Sequence, residues 1–229
     1  MNVSKSPIIV PLDGMSLDAS LALAERLSGS VWGFKVNDLL LGHGVSVVTA
    51  LKRFGKVFAD PKLHDIPNTV ANGVRALSDA GADLITVHGS GGRAMLEAAV
   101  KNSGKAQILA VTVLTSLSDS DAQELFACTA RDAVARFATI AAAVGVHGIV
   151  CSPQELPLLN ASPSLANLLK VTPGVRPSWH GKADDQVRTL TPGEAIRAGA
   201  THLVVGRPIT HHENPVEAVA LINSEVSAL

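Results

Sequence analysis

Residues 58–70, FADPKLHDIPNTV, gather side chains that can hold charge or exchange protons. An apolar run, KVFA, leads directly into Asp60 and Lys62, and His64 and Asp65 follow at once. Because side chains alternate across a strand, Asp60 and Lys62 are predicted to point to the same side. The segment therefore predicts a pair of opposite charges at the end of a strand.

A second lysine, Lys35, stands in another apolar run, GFKV. If the two strands are neighbours, Lys35 lies beside Asp60 and completes a Lys35–Asp60–Lys62 array. Unit charges about 4 Å apart interact by about 4 kcal/mol at an effective dielectric near 20. Such an ordered array can stabilise charge that develops during a reaction. The alternative for the same residues is a purely structural ion-pair network.

Short β-branched runs alternate along the chain with longer amphipathic segments rich in alanine and leucine. Strands are predicted over residues 7–13, 31–36, 56–62, 82–89, 107–114, 147–153, 168–175 and 201–210. Helices are predicted over residues 16–28, 42–53, 68–80, 91–102, 130–144, 192–199 and 215–226. The strand segments read as nearly continuous Val/Ile/Leu runs, which is typical of parallel strands buried on both faces.

Eight such units in 229 residues predict an α/β fold, a (β/α)8 TIM barrel that forms a single domain over residues 1–229. The alternative is a doubly wound open sheet. That fold would favour a GxGxxG turn after the first strand, where this chain reads LDGMSLDAS.

The C-terminal ends of the strands form the functional mouth of such a barrel. Polar or turn-forming residues stand at those ends, and the candidates are Asp13, Lys35, Asp60, Lys62, Thr115, Ser116, Pro173, Gly206 and Arg207. An ordinary barrel also carries polar residues there, because the chain must turn into solvent. That alternative explains lysines inside apolar runs less well than it explains aspartate or serine after them.

The segment VVGRPIT (204–210) predicts a phosphate site, since phosphate sites in these barrels favour the loops after the seventh and eighth strands. Gly206 would let a backbone N–H approach an oxyanion, and Arg207 would hold it through paired donors. The polar segment RPSWHGKADD, which begins at Arg176, is interpreted as a mobile lid. Arg176 and Gln186 would fasten this lid to a bound phosphate.

Three other motifs receive structural interpretations. The glycine-rich segment 88–94, HGSGGRA, favours a tight turn and helix cap over an anion cradle. His64 is interpreted as a packed or hydrogen-bonded histidine. The sequence His-His-Glu at 211–213 lacks the i, i+4 histidine pair of a zinc helix and is interpreted as the turn before the last helix.

Composition excludes several classes of protein. Hydrophobic residues make up 47% of the chain and charged residues 17%, which excludes a disordered chain. The net charge of −1, with no lysine- or arginine-rich run, argues against an extended nucleic-acid or anionic-membrane surface. Cys128 and Cys151 are isolated, and the first apolar run is broken by Pro11 and Asp13, so no signal peptide is expected. We expect a cytoplasmic protein without a membrane span.

With these residues assembled, the sequence resembles the orotidine 5'-monophosphate decarboxylase family in its bacterial form. The stretch Asp60-x-Lys62-x-x-Asp65-Ile66-Pro67-Asn68-Thr69 matches the signature decapeptide of that family. Pro61 and Leu63 differ from the residues most often found there, but both occupy unconstrained positions. The match continues, in order, through PLD (11–13), GFKV (33–36), VTVLTS (111–116), TPGVRP (172–177), DDQVR (184–188) and VVGRPIT (204–210).

The resemblance implies a homodimer of barrels that decarboxylates orotidine 5'-monophosphate to uridine 5'-monophosphate in de novo pyrimidine synthesis. It implies no metal and no organic cofactor. The catalytic network would be Lys35, Asp60, Lys62 and Asp65, with Lys62 as the proton donor. Asp65 and Thr69 would be shared across the dimer interface.

The resemblance also implies which residues bind the substrate. Besides the catalytic four, they would be Asp13, Ile66, Asn68, Thr69, Thr115, Ser116, Pro173, Arg176, Gln186, Gly206 and Arg207. Asp13, Lys35 and Thr69 would hold the ribose. Thr115 and Ser116 would meet the pyrimidine ring. The phosphate would be held by Arg176, Gln186, Gly206 and Arg207.

Two other functions compete with this one. A magnesium-dependent sugar-phosphate decarboxylase of the same barrel group, such as ketogulonate phosphate decarboxylase, shares the Asp-x-Lys-x-x-Asp pattern. Those relatives place an acidic metal ligand on the second strand, where this chain has Lys35, and a lysine repels a divalent cation. The other alternative is a nucleotide-binding barrel without catalytic activity, because fold alone does not prove activity.

Overall fold

Eight parallel strands close into one barrel, in which each strand pairs with the next along the chain and the eighth pairs with the first. A computed structural model of the chain describes residues 6–180 and 190–227. The strands are β1 (Ile8–Pro11), β2 (Gly33–Val36), β3 (Lys56–Leu63), β4 (Leu84–His88), β5 (Gln107–Val111), β6 (Gly148–Val150), β7 (Leu169–Thr172) and β8 (His202–Val204). The predicted (β/α)8 barrel and its single-domain architecture are confirmed.

Helices surround the barrel and connect successive strands. Within the described residues they are α1 (Leu17–Leu27), α2 (Asp38–His43), α3 (Ser46–Leu51), α4 (Pro67–Asp79), α5 (Gly92–Lys101), α6 (Asp119–Phe126), α7 (Ala130–Ala143), α8 (Leu156–Asn160), α9 (Pro163–Ala166), α10 (Pro192–Arg197), α11 (Arg207–Thr210) and α12 (Pro215–Ser227). No helix in this part of the chain is both long enough and apolar enough to cross a membrane.

The structure differs from the sequence prediction in four places, and two of them are helices that were not predicted, α6 between β5 and β6 and the pair α8 and α9 between β6 and β7. The helix predicted over 42–53 is two helices, because Gly44 adopts a φ of +61° that ends α2. The strand predicted over 201–210 is wrong beyond Val204, since residues Arg207–Thr210 form the short helix α11. Pro208 explains the difference, because proline suits the first turn of a helix and cannot donate to a sheet.

The strands carry apolar side chains on both faces, and the two faces pack into separate cores. Ile8 and Val10 of β1 pack with helix residues such as Leu23 in the layer between barrel and helices. Residues of the second core come from the strands, and they are Ile9, Phe58, Leu84, Leu109, Val171 and Val204. This second core fills the interior of the barrel.

The interior face of each strand runs directly into the mouth of the barrel. Side chains alternate, so residues two positions after an interior residue point to the same side. Phe58 is interior and is followed on that face by Asp60, and Leu84 is followed by Thr86. The packing of the barrel interior therefore aims these polar side chains at the C-terminal opening.

His202, at the start of β8, lies at the opposite end of the barrel, beside Trp32. The two rings meet edge to face with their centroids 5.1 Å apart, and Lys56 lies over the Trp32 ring at 5.2 Å. Burial, with a smaller contribution from Lys56, lowers the pKa of His202 from 6.5 to about 4. His202 is therefore neutral in the folded protein at neutral pH.

We expect acidification to destabilise the fold through His202. Between pH 6.5 and about 4 the unfolded chain binds a proton that the folded chain does not, so stability is lost as pH falls through that window. The effect on the free energy of unfolding is at most about 3 kcal/mol. Urea unfolding of wild type and His202→Leu from pH 7 to pH 4 measures it. The wild-type values should fall more steeply, and parallel curves would contradict the expectation.

Candidate active site

Asp60 and two lysines form a buried ion cluster at the C-terminal mouth. Lys62 Nζ donates to Asp60 Oδ2 at 2.8 Å, and Lys35 Nζ lies 3.2 Å from the same oxygen. The Lys35 and Asp60 side chains are only 10% and 8% exposed, whereas that of Lys62 is 35% exposed. The array predicted from the sequence is thus formed, and its most accessible cation is Lys62.

Asp13 extends the cluster on the side of the first strand. Its Oδ2 accepts a hydrogen bond from Lys35 Nζ at 2.6 Å, and its side chain is 41% exposed. The order Asp13–Lys35–Asp60–Lys62 alternates in sign, so each buried charge has an opposite neighbour. Alternation of this kind is what allows charged groups to remain ionised away from water.

Two uncharged side chains hold Asp60 in place. Thr86 Oγ1 donates to Asp60 Oδ1 at 2.8 Å, and Asn37 Nδ2 donates to the Asp60 backbone carbonyl at 2.6 Å. Sequence analysis did not identify either residue. A signal for Thr86 was present, because it is a polar residue on the face of β4 that Leu84 places inside the barrel.

The backbone at Lys62 departs from a regular strand. Lys62 has a φ of +50°, which is uncommon for a residue with a side chain and costs roughly 1–2 kcal/mol. The register between β3 and β4 shifts between Ala59 and Leu63. This irregularity redirects the chain at the point where the Lys62 ammonium meets Asp60.

His88 lies at the end of β4 and packs against His64, with ring centroids 5.1 Å apart. His64 thus makes a ring contact, as interpreted from the sequence, although its side chain remains exposed. Burial lowers the pKa of His88, and the nearby His64 and Lys62 lower it further. A neutral His88 adds no positive charge beside Lys62.

The segment that follows Lys62 lies on the surface of the protein. Asp65, Ile66, Asn68 and Thr69 are exposed, and Ile66 is 66% exposed. The Asp65 carboxylate accepts a hydrogen bond from the Ile66 backbone N–H at 2.6 Å. The helix α4 begins directly afterwards at Pro67.

A cavity of about 620 Å³ occupies the other side of the mouth, where the loops after β5, β6, β7 and β8 meet. Four of the predicted substrate-binding residues line it, and they are Thr115, Ser116, Pro173 and Arg207. The lining also includes Ser152 and Glu155, which sequence analysis did not identify. Hydroxyls, a guanidinium, a carboxylate and apolar carbon therefore surround one space of ligand size.

Of the predicted phosphate residues, Arg207 lines that cavity. Gly206 ends the β8 loop, and a Cβ added there would lie 3.2 Å from Pro11 Cγ, so β8 and β1 approach closely at this point. Arg207 begins α11, and Arg176 donates from Nη1 to the Val175 carbonyl at 3.0 Å. Gln186 lies outside the described residues.

Among residues 6–180 and 190–227, no group of three or more His, Cys, Asp or Glu side chains is arranged to hold a metal ion. Residues 211–213 form the turn between α11 and α12, as interpreted from the sequence. The segment 88–94 forms a short turn and the start of α5, in agreement with its interpretation as a turn and cap.

The positive φ of Lys62 leads to a test of stability. Glycine adopts that conformation without steric cost, so Lys62→Gly should be more stable than Lys62→Ala by about 1 kcal/mol. At Lys56, a regular strand residue, the order should reverse, with glycine less stable than alanine by roughly 0.5–1 kcal/mol. Urea unfolding of the four variants measures both differences, and the same order at both sites would contradict a strained Lys62.

Comparisons with known proteins agree with the site. A profile of the orotidine 5'-phosphate decarboxylase / HUMPS family matches residues 6–222. The orotidine 5'-phosphate decarboxylase of Caulobacter vibrioides (strain NA1000 / CB15N) is 46% identical over 230 residues, 97% of each protein. That of Chromohalobacter salexigens is 45% identical over 229 residues, 97% of this chain and 96% of the relative.

A solved structure resembles the whole barrel. The crystal structure of orotidine 5'-phosphate decarboxylase from Lactobacillus acidophilus matches with a TM-score of 0.82 and 33% sequence identity. The match covers 97% of this chain and 99% of that one. The chain belongs to the orotidine 5'-phosphate decarboxylase / HUMPS family.

Proposed function

We propose that this chain is a carboxy-lyase that converts orotidine 5'-monophosphate to uridine 5'-monophosphate in pyrimidine synthesis. The observation that carries the proposal is the alternating ion cluster, in which Lys35 and Lys62 flank one oxygen of Asp60 at 3.2 and 2.8 Å. The relatives of about 45% identity carry the same activity in their names. A nucleotide-binding barrel without activity would have no evident use for this cluster.

The proposed reaction develops negative charge on C6, and the cluster must stabilise that charge. Breaking the bond between C6 and the carboxylate releases CO2 and leaves an electron pair on an sp2 carbon that the ring delocalises poorly. Enzymes lower barriers by about 8–23 kcal/mol, and this reaction needs the upper part of that range. A fixed ammonium next to C6 supplies electrostatic stabilisation where the negative charge develops.

Lys62 is the residue that we assign to this step. Its ammonium is the most exposed cation of the cluster and is held by Asp60 at 2.8 Å, so it can meet a substrate while keeping a fixed position. It stabilises the carbanion and then transfers one of its protons to C6, and solvent reprotonates the amine. Asp60 orients Lys62 and lies near the departing carboxylate.

We propose that the remaining residues bind the substrate along the mouth. Asp13 and Lys35, which form a 2.6 Å ion pair, hold the ribose together with Thr69. Thr115 and Ser116 meet the pyrimidine ring, and the cavity that they line supports this placement. Pro173 lies in the same lining, and the phosphate is held by Arg176, Gln186, Gly206 and Arg207. Binding the phosphate far from C6 contributes energy that organises the reacting groups.

We further propose that the active protein is a homodimer with shared sites. Asp65 would complete the catalytic network of the partner subunit, and Ile66, Asn68 and Thr69 would contribute to substrate binding there. The exposure of this segment supports the proposal, because the apolar side chain of Ile66 is 66% exposed and a partner subunit would cover it.

The proposed reaction can be tested directly. Purified protein with a chelator should consume orotidine 5'-monophosphate, followed by its absorbance, whereas Lys62→Ala should lose turnover because no ammonium stands at C6. The variant should still bind uridine 5'-monophosphate with nearly wild-type affinity. Turnover retained by Lys62→Ala would exclude its assigned role. Activity that a chelator removes would instead favour a magnesium-dependent decarboxylase.

The shared site is tested by mixing two inactive variants. Asp65→Asn and Lys62→Ala subunits should form mixed dimers in which one of the two sites has every catalytic residue. A one-to-one mixture should then recover about a quarter of wild-type activity, since half of the dimers are mixed and each has one intact site. Labelled subunits verify exchange, and no recovery after verified exchange would contradict sharing.

A further inference from the structure

We propose that Thr86 is a positioning residue of the reaction, whose hydroxyl fixes the Asp60 carboxylate and the Lys62 backbone at the same time. The inference rests on the proposed function, because it concerns how the catalytic groups of that reaction are held. Thr86 is fully buried, carries no charge and makes its two contacts with Asp60 and Lys62. It therefore acts through these residues and not on the substrate.

The Thr86 hydroxyl acts as a hydrogen-bond donor and as an acceptor at the same time. Its proton goes to Asp60 Oδ1 at 2.8 Å, and its oxygen accepts the Lys62 backbone N–H at 3.0 Å. A hydroxyl has one proton to donate and two lone pairs that accept, so a single small side chain can make this link. Valine has the same shape and can make neither bond.

The irregular strand explains why a side chain is needed at this position. Ala59 pairs with Ile85 and Leu63 pairs with Val87, so Asp60, Pro61 and Lys62 lie opposite Thr86 alone. In a regular ladder the N–H groups of one strand bond to carbonyls of the next. At this irregularity the Thr86 hydroxyl accepts the Lys62 N–H in place of a backbone carbonyl.

The hydrogen bond to Asp60 Oδ1 also fixes the direction in which the other carboxylate oxygen, Oδ2, points. With Oδ1 held by Thr86, Asp60 Oδ2 points to both ammonium groups, of Lys35 at 3.2 Å and of Lys62 at 2.8 Å. Without the hydroxyl, the carboxylate is held only through Oδ2 and the Lys62 N–H loses its buried acceptor. The Lys62 ammonium would then occupy several positions, and few of them would suit proton transfer to C6.

The test compares Thr86→Val, Thr86→Ser and a matched control, Thr172→Val. Thr172 is an equally buried strand threonine on β7 whose hydroxyl lies 3.9 Å from Cys151 Sγ, so its replacement measures the general cost of losing a buried hydroxyl. For each variant, kcat for orotidine 5'-monophosphate and the affinity for uridine 5'-monophosphate are measured. Titration with uridine 5'-monophosphate counts the folded sites, so kcat is expressed per site.

We expect Thr86→Val to lose on the order of 10- to 100-fold in kcat, by analogy with the loss when a residue that orients a metal ligand is removed. Its affinity for uridine 5'-monophosphate should change by less than about threefold, because the hydrogen bonds of Thr86 go to Asp60 and Lys62 and not to the residues assigned to the ring and the phosphate. Thr86→Ser keeps the hydroxyl and should stay within about threefold of wild-type kcat. Thr172→Val should stay within about twofold. If Thr86→Val yields no folded sites, Thr86→Ala replaces it in the same measurements.

Three results would overturn the inference while leaving the proposed function intact. The first is that the wild type is active and Thr86→Val, or Thr86→Ala in its place, has the same kcat. The second is that Thr86→Ser loses as much kcat as the variant that lacks the hydroxyl. The third is that the variant that lacks the hydroxyl loses kcat and nucleotide affinity by the same factor. A wild type that binds nucleotide but does not decarboxylate orotidine 5'-monophosphate would overturn both.

Discussion

One carboxylate oxygen shared by two ammonium groups is the interaction on which the rest of this site depends. Asp60 and Lys35 are almost entirely removed from water, and an isolated charge in such a place would be strongly unfavourable. Each is stabilised only because its partner is held within hydrogen-bonding distance. The closed barrel supplies that geometry, because it aligns β2 beside β3 with Lys35 in register with Phe58 and Val36 with Ala59. A small shift of either strand would leave buried charges without partners.

The barrel interior and the site form one continuous face. The apolar residues Ile9, Phe58 and Leu84 pack inside the barrel and fix the direction of each strand. The next residues on the same face are polar, and they lie where the interior opens to solvent. The same strands therefore provide both the stability of the fold and the rigidity of the charged groups at the mouth. The cavity lined by Thr115, Ser116 and Arg207 lies on the opposite side of the mouth and is formed by loops.

Sequence could predict the barrel and the charged strand ends, because both follow from local patterns of residues. It could not separate two lysines that look alike in sequence. Lys35 and Lys170 both stand in apolar runs, but Lys170 is next to the interior residue Val171 and so faces away from the barrel centre. Its Nζ donates to the carbonyls of Leu165, Ala166 and Leu168 and holds the connection before β7. The hydrogen bond from the Lys62 N–H to the Thr86 hydroxyl depends on the irregular register between β3 and β4, which no periodicity reveals.

The alternation of sign along Asp13, Lys35, Asp60 and Lys62 has a consequence for how substrate arrives. The electric fields of two positive and two negative groups in this alternating row cancel at a distance. The chain as a whole has a net charge of −1. The cluster therefore exerts a strong field on an atom in contact with Lys62 and a weak one beyond about 10 Å, where salt also screens it. Under the proposed function, long-range attraction of the anionic nucleotide would have to come from charges outside this cluster, and the cluster would act only on atoms in contact with it.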